Sequence, residues 1–134
     1  MGLIHALARI CLSGIFINGG IDVLRDPEPR AAIAEPFLER VRPLAPSLPS
    51  DPLDVVRANA AVQVGAGAML ALGILPRLSA LVLAGSLVPT TVGAHRFWEL
   101  EGPARVQQRV QFLKNAAILG GLALALTRPR RAGS

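Results

Sequence analysis

His95 and Trp98 stand three residues apart, and Gln111, Lys114 and Asn115 follow at the three- and four-residue spacing that shares one helix face. Imidazole, indole, amide and ammonium groups hold and orient a polar head group; by themselves they break no covalent bond. Facing each other, the two stretches would form a pocket in which His95 is a hydrogen-bond partner and Trp98 forms a wall. A quinone head group fits that description. The alternative is structural: in a half-wet interface, apolar rings with a polar edge are simply at home. The sequence leaves both readings open.

Other chemistries find no complete set of residues. His95 and Glu99 are four apart, but the only other histidine, His5, is expected at the opposite end of the molecule, so neither a metal site nor a haem-ligand pair is assembled. The one cysteine, Cys11, excludes an internal disulfide and a multi-cysteine cage. Set among Ile10, Leu12 and Ile15, its thiol is expected to be buried and a poor nucleophile. A glycine-rich nucleotide loop is absent from the chain. No intrinsic cofactor is therefore expected, and a quinone bound here would need electrons from a cofactor-bearing partner protein.

The elements that must position these groups are apolar helices. Hydrophobic residues make up 51% of the 134 positions and charged residues 17%, an imbalance that points to an all-α integral membrane protein in one domain. The formal charge of +5 sits at the ends of apolar segments rather than in a stripe with aromatics, which argues against nucleic acid and for membrane lipids. Four spans are expected, over about 3–24, 55–75, 78–92 and 110–126, packed as a four-helix bundle with both termini on one side. A soluble bundle needs a polar face on every helix, and 60–75 offers only Gln63. A long loop separates the first two spans; its seven prolines between Pro27 and Pro52 forbid a continuous helix, although Ala31–Val41 has the spacing of a short amphipathic piece able to lie on the membrane. Pro76-Arg77 closes a tight hairpin between the second and third spans, and Thr127 to Arg131 ends the fourth with a basic anchor.

Within the spans, Asn59 with Gln63 and Gln111 with Asn115 are one turn apart and are expected to hydrogen-bond across the bundle, with Gly65, Gly67, Gly85, Gly120 and Gly121 permitting close approach. Pro89 removes a backbone donor inside the third span, so a helix break or bend is expected there, with Ser86, Thr90 and Thr91 available to satisfy the ladder.

Three stretches carry a family resemblance. Ala8-Arg9-Ile10-Cys11-Leu12-Ser13-Gly14-Ile15-Phe16, then Pro89-Thr90-Thr91 with His95-Arg96-Phe97-Trp98, then Gln111 to Gly121 resemble the signatures of the DoxX family of small bacterial membrane proteins, in order and spacing. The resemblance implies a four-helix bundle in the bacterial plasma membrane. It further implies a membrane subunit or anchor of a redox complex linked to oxidative stress or to thiosulfate and quinone oxidation. A quinone-reactive subunit, or a small transporter or lipid-interacting protein, are the other readings, and a homo-oligomer is compatible with each.

Arg9 is the intramembrane charge. In the four-span arrangement all nine acidic residues fall towards the side of the long polar stretches, whereas Arg77, Arg128, Arg130 and Arg131 lie at the other side and Arg9 points there from about two turns inside. Counting Lys and Arg alone would put the long polar stretches in the cytoplasm, whereas the net field and the basic tail favour cytoplasmic termini, the orientation expected here. Asp22, the nearest acid on its own helix, is about 20 Å from Arg9 along the axis. Arg9 must therefore snorkel to lipid phosphate, cap helix carbonyls or meet a carboxylate of another subunit.

Overall fold

In the computed structural model, residues 2–127 are described, and they form five α-helices without a strand: α1 (Leu3–Arg25), α2 (Glu28–Val41), α3 (Pro52–Leu72), α4 (Pro76–Ala94) and α5 (Gly102–Leu126). A 3₁₀ turn, Phe97–Glu99, joins the last two. The basic anchor at Arg128, Arg130 and Arg131 lies outside the described residues.

Local chemistry explains the boundaries. Asp51 opens α3 by accepting a hydrogen bond from the Leu53 N–H at 2.9 Å, and Pro52 occupies the first helical position, where a missing N–H costs nothing. Gly73 closes it at φ +73°, with the Ile74 N–H reaching back to the Met69 carbonyl at 2.8 Å in a Schellman arrangement. Only Gly73, Ile74 and Leu75 separate α3 from α4, so the expected tight hairpin is present, with its link three residues earlier than expected and Pro76 and Arg77 in the first turn of α4. The turn holds Leu75 in the left-handed region at φ 42°, a conformation costly for a branched side chain and tolerated here because Pro76 disfavours the right-handed helical region for the residue before it.

Three expectations are corrected. The proline-rich stretch is not a loop throughout, since α2 begins before Ala31 and passes through Pro36. Pro29 falls in the first turn, where N–H groups are unpaired anyway, and Pro36 deprives only the Ala32 carbonyl of its partner. Tertiary packing compensates, with Ala31 and Leu38 buried and the Phe37 ring lying where a Cβ on Gly93 would be 3.2 Å away. Secondly, α5 starts at Gly102 rather than near Val110, because Arg105, Gln107 and Gln108 are polar but good helix formers. Thirdly, Pro89 does not break α4, which continues to Ala94. One lost backbone bond, to the Gly85 carbonyl, is too little to end a helix so heavily packed on its neighbours.

Three helical segments are long and apolar enough to cross a membrane: Leu3–Arg25, Pro52–Leu72 and Pro76–Glu99. Although 25 residues long, α5 carries Arg105, Gln107, Gln108 and Arg109 near its start and Lys114 beyond them. Side-chain pairings make successive long helices antiparallel: Gly20 meets Ala60 and Val64 while Gly67 meets Ile17, Asn59 meets Thr90, and Asn115 meets Thr91. The core they share is built of Phe16, Ala66, Leu70, Ala80, Leu83, Leu87 and Leu122.

Close approach is concentrated between α1 and α3. A Cβ on Gly20 would lie 2.8 Å from the Ala60 carbonyl oxygen and one on Gly67 2.9 Å from Ile17 Cγ1. Gly121 similarly accommodates Leu12 on α1, whereas Gly65, Gly85 and Gly120 face open space and permit no such contact. Of the expected small-residue positions, Gly67 and Gly121 therefore serve close approach, and Gly20 joins them. Gly20→Ala is expected to destabilise the fold by about 1–3 kcal/mol in unfolding titrations in detergent, since backbone must move to admit the methyl group. Gly65→Ala, with nothing near its added Cβ, is expected to be neutral or slightly stabilising in the same measurement.

Candidate functional site

At the end of the molecule that carries the acidic residues, all five helices surround a cavity of about 330 Å³. α1 contributes Ile15, Phe16, Gly19 and Val23, and α2 closes one side with Arg30, Ile33, Ala34, Phe37 and Leu38. From α3 come Val55, Val56, Asn59, Ala60 and Gln63; α4 adds residues from Leu87 to His95, and α5 adds Lys114, Asn115 and Ile118. The wall is mostly aliphatic. Its polar members are amides, one hydroxyl, one imidazole and two cations, and no carboxylate lines it.

Most of these polar groups are already tied together. Ser86 is the hub between α3 and α4: its hydroxyl donates to Asn59 Oδ1 at 2.7 Å and accepts from Gln63 Nε2 at 3.0 Å. Asn59 Nδ2 donates onwards to Thr90 Oγ1 at 3.4 Å. Asn115, buried on α5, donates to Thr91 Oγ1 at 3.0 Å and so joins α5 to α4. The hydroxyls of Thr90 and Thr91 in turn donate to the carbonyls of Ser86 and Leu87, each at 2.7 Å. Interhelical bonding by Asn59, Gln63 and Asn115 is thus present, and α4 supplies hydroxyls to all three.

What remains free decides what a ligand could meet. Each amide keeps part of its donor and acceptor capacity, and His95, whose Nδ1 donates to Gln108 Oε1 at 2.7 Å, keeps Nε2 as an acceptor in the neutral imidazole. Lys114 donates one hydrogen bond to Gln111 Oε1 at 2.6 Å and has two further N–H groups. Arg30 brings five more. The free groups are therefore predominantly donors around an aliphatic space.

Of the sequence-predicted pocket residues, His95, Lys114 and Asn115 line this cavity. Gln111 does not line it, but it bonds the lysine that does. Trp98 is also outside the wall, 48% exposed and packed edge-to-face on Phe97 and Phe112 with ring centroids 5.4 and 5.9 Å away. It buttresses the 3₁₀ turn against α5 rather than walling the pocket. Pro89 is a wall residue inside an unbroken helix. Arg9 stands at the opposite end, beside a second cavity. Glu99 pairs with Arg40 at 3.4 Å and with Arg96 at 3.7 Å, so its carboxylate is engaged with cations rather than with His95. Cys11 is exposed on α1, not buried as expected: its neighbours in sequence are apolar, but the buried stripe of α1 runs through Ser13, Phe16 and Gly20.

Sequence reasoning missed Arg30 and Gln108. Gln108 had a readable signal, because it precedes Gln111 by three and Asn115 by seven, the spacing of one helix face. Arg30 had none, since its place in the wall depends on α2 folding back over the helix ends.

Comparison with known proteins gives one match: the DoxX family model fits residues 4–96 of the 134, well over half of the chain. The Gln111–Gly121 stretch lies beyond that match. No curated protein and no solved structure matches the sequence.

Replacing the hub tests the network itself. Ser86→Ala leaves Asn59 Oδ1 and Gln63 Nε2 without their shared partner and is expected to cost about 0.6–1.7 kcal/mol in an unfolding titration in mixed micelles. A double-mutant cycle with Asn59→Ala should return a coupling of the same order.

Proposed function

The chain belongs to the DoxX family, and from that premise we propose that it is the quinone-holding membrane subunit of a redox complex in the bacterial plasma membrane. The observation that carries this reading is the cavity of about 330 Å³, aliphatic in its walls and furnished with free donors from Asn115, Lys114 and Arg30 and with the Nε2 acceptor of His95. A quinone head group is a flat ring bearing two acceptor oxygens, and it needs donors at its edge and apolar contacts on its faces. The residues present supply both. Asn115 is fixed by Thr91 and His95 by Gln108, so the free N–H of Asn115 for a quinone oxygen and the Nε2 acceptor of His95 for the hydroxyl of the reduced ring are preorganised rather than recruited on binding. Lys114 and Arg30, with no carboxylate in the wall, favour any increase of negative charge on the ligand oxygens. The quinone carries the redox chemistry, and a partner protein with its own electron carrier exchanges electrons with it.

In this reading α1, α3, α4 and α5 all cross the membrane as a four-helix bundle, and α2 lies at the surface above the cavity. The start of α5, with Arg105, Gln107, Gln108 and Arg109, then projects from the lipid, which accounts for a helix of 25 residues with a short apolar part. The termini are cytoplasmic.

Binding can be followed through the protein's own fluorescence, because Trp98 is the only tryptophan and there is no tyrosine. Titration with a short-chain quinone is expected to quench it saturably, with Asn115→Leu weakening the binding of the quinone and His95→Ala that of the quinol, each about three- to tenfold, while membrane-inserted protein is retained. Linear, unsaturable quenching that is identical in both variants would indicate partitioning into the micelle and sink the proposal. The arrangement of spans has a separate test. In a Cys11→Ala background, single cysteines at Ser50 and Gly102 should label from one side of the membrane and one at Arg77 from the other; any other partition rejects four crossings.

A further inference from the structure

The second cavity, of about 380 Å³, lies at the end of the molecule remote from the one just described, and its wall includes His5, Arg9, Leu12, Pro76, Leu124 and Ala125. We propose that this cavity binds the phosphate of a membrane phospholipid. The inference is independent of the quinone reading.

Arg9 is the reason a ligand is needed. Its Nε is buried without a hydrogen-bond partner, and no ion pair among the described residues involves it. An unpaired guanidinium in a lipid-like medium is costly, and the protein does not discharge that cost from within: the Ser13 hydroxyl takes the Arg9 carbonyl at 2.6 Å, not the side chain. The guanidinium is also fixed in place. It lies against Gly73, where a Cβ would be 3.2 Å from Nη2 and 3.6 Å from Cζ, so the closing glycine of α3 makes room for it. This places a positive fork beside the start of α4. That helix begins after Leu75 with no side-chain cap and places Pro76 in the cavity wall, so the positive end of its dipole, rather than a placed N–H, favours an anion there. His5, one turn before Arg9, adds a third donor.

The anion must be tetrahedral or planar with paired oxygens, the geometry that a guanidinium meets with two parallel hydrogen bonds. Nothing in the chain can serve from inside, because Asp22, the nearest acid on α1, is about 20 Å away and the other acids cluster at the far end. A lipid is favoured over free phosphate by the remaining walls. Leu12, Leu124 and Ala125 are apolar, and Leu124 is 75% exposed, a surface suited to glycerol and acyl carbons. Depth agrees, since Arg9 lies about 9 Å along the axis from Leu3 and its side chain can reach towards the phosphate level.

The test is native mass spectrometry of the full chain in detergent, titrated with phosphatidylglycerol. One retained lipid per chain is expected, with dioleoylglycerol, which lacks the phosphate, at least tenfold weaker. Arg9→Gln should weaken phosphatidylglycerol at least tenfold, and Arg9→Lys less, since it keeps the charge but loses the fork. Should Arg9→Gln fail to accumulate, His5→Glu decides alone. At an exposed position one turn before Arg9, the new carboxylate pairs the guanidinium internally and should expel the lipid at least tenfold without loss of folded protein. Unchanged lipid retention in these variants overturns the proposal. So does displacement of the lipid by millimolar inorganic phosphate, which would make this a site for the free anion.

Discussion

The contact on which the rest depends is the approach of α1 to α3 at Gly20 and Gly67. Between helices in lipid there is little hydrophobic drive to associate, so packing depends on how closely two backbones can come. Here the Ala60 carbonyl oxygen stands where a Gly20 side chain would begin, and Ile17 lies over Gly67. This seam sets the axial register of α1, and the register has effects at both ends. At one it lays Phe16 and Gly19 along the large cavity; at the other it brings Arg9 to Gly73.

A second constraint acts on α4. It is the helix through which α3 and α5 communicate, because its hydroxyls answer Asn59, Gln63 and Asn115 in turn. Ser86 and Thr91 are nearly buried, so these bonds form in a low-dielectric setting where an unanswered amide is expensive. The arrangement joins helices while leaving part of each amide unused, and the unused part faces the space between them. By contrast, the ion pairs that link Glu99 with Arg40 and Arg96 are partly solvent-exposed and contribute little to stability.

Much of this was legible in the residues. The apolar runs gave the positions of α1, α3 and α4, and Pro76-Arg77 between two of them gave the hairpin. One-turn spacing marked Asn59 with Gln63 and Gln111 with Asn115 as polar faces, and His95 and Lys114 do line the large cavity with Asn115. Other features resisted a local reading for physical reasons. Proline count argued against α2, but burial of Ala31 and Leu38 outweighs one missing backbone bond at Pro36. The same balance lets α4 run through Pro89. Trp98 was placed in the pocket by proximity to His95, yet the three-residue 3₁₀ turn rotates its ring onto Phe112 instead. Glycines were the hardest to rank, since Gly20 and Gly14 look alike in sequence and only the partner helix distinguishes them.

The brevity of the link between α3 and α4 bears on how the chain is made. Three residues, Gly73 to Leu75, span at most about 11 Å when fully extended, against a hydrocarbon thickness of about 30 Å. Once α3 has entered the bilayer, α4 cannot wait in water for a separate insertion event. The two must leave the insertion machinery as one folded arm, with the strained Leu75 already turned. The direction taken by α3 during synthesis therefore dictates that of α4, and a topological error in one could be corrected only by withdrawing both.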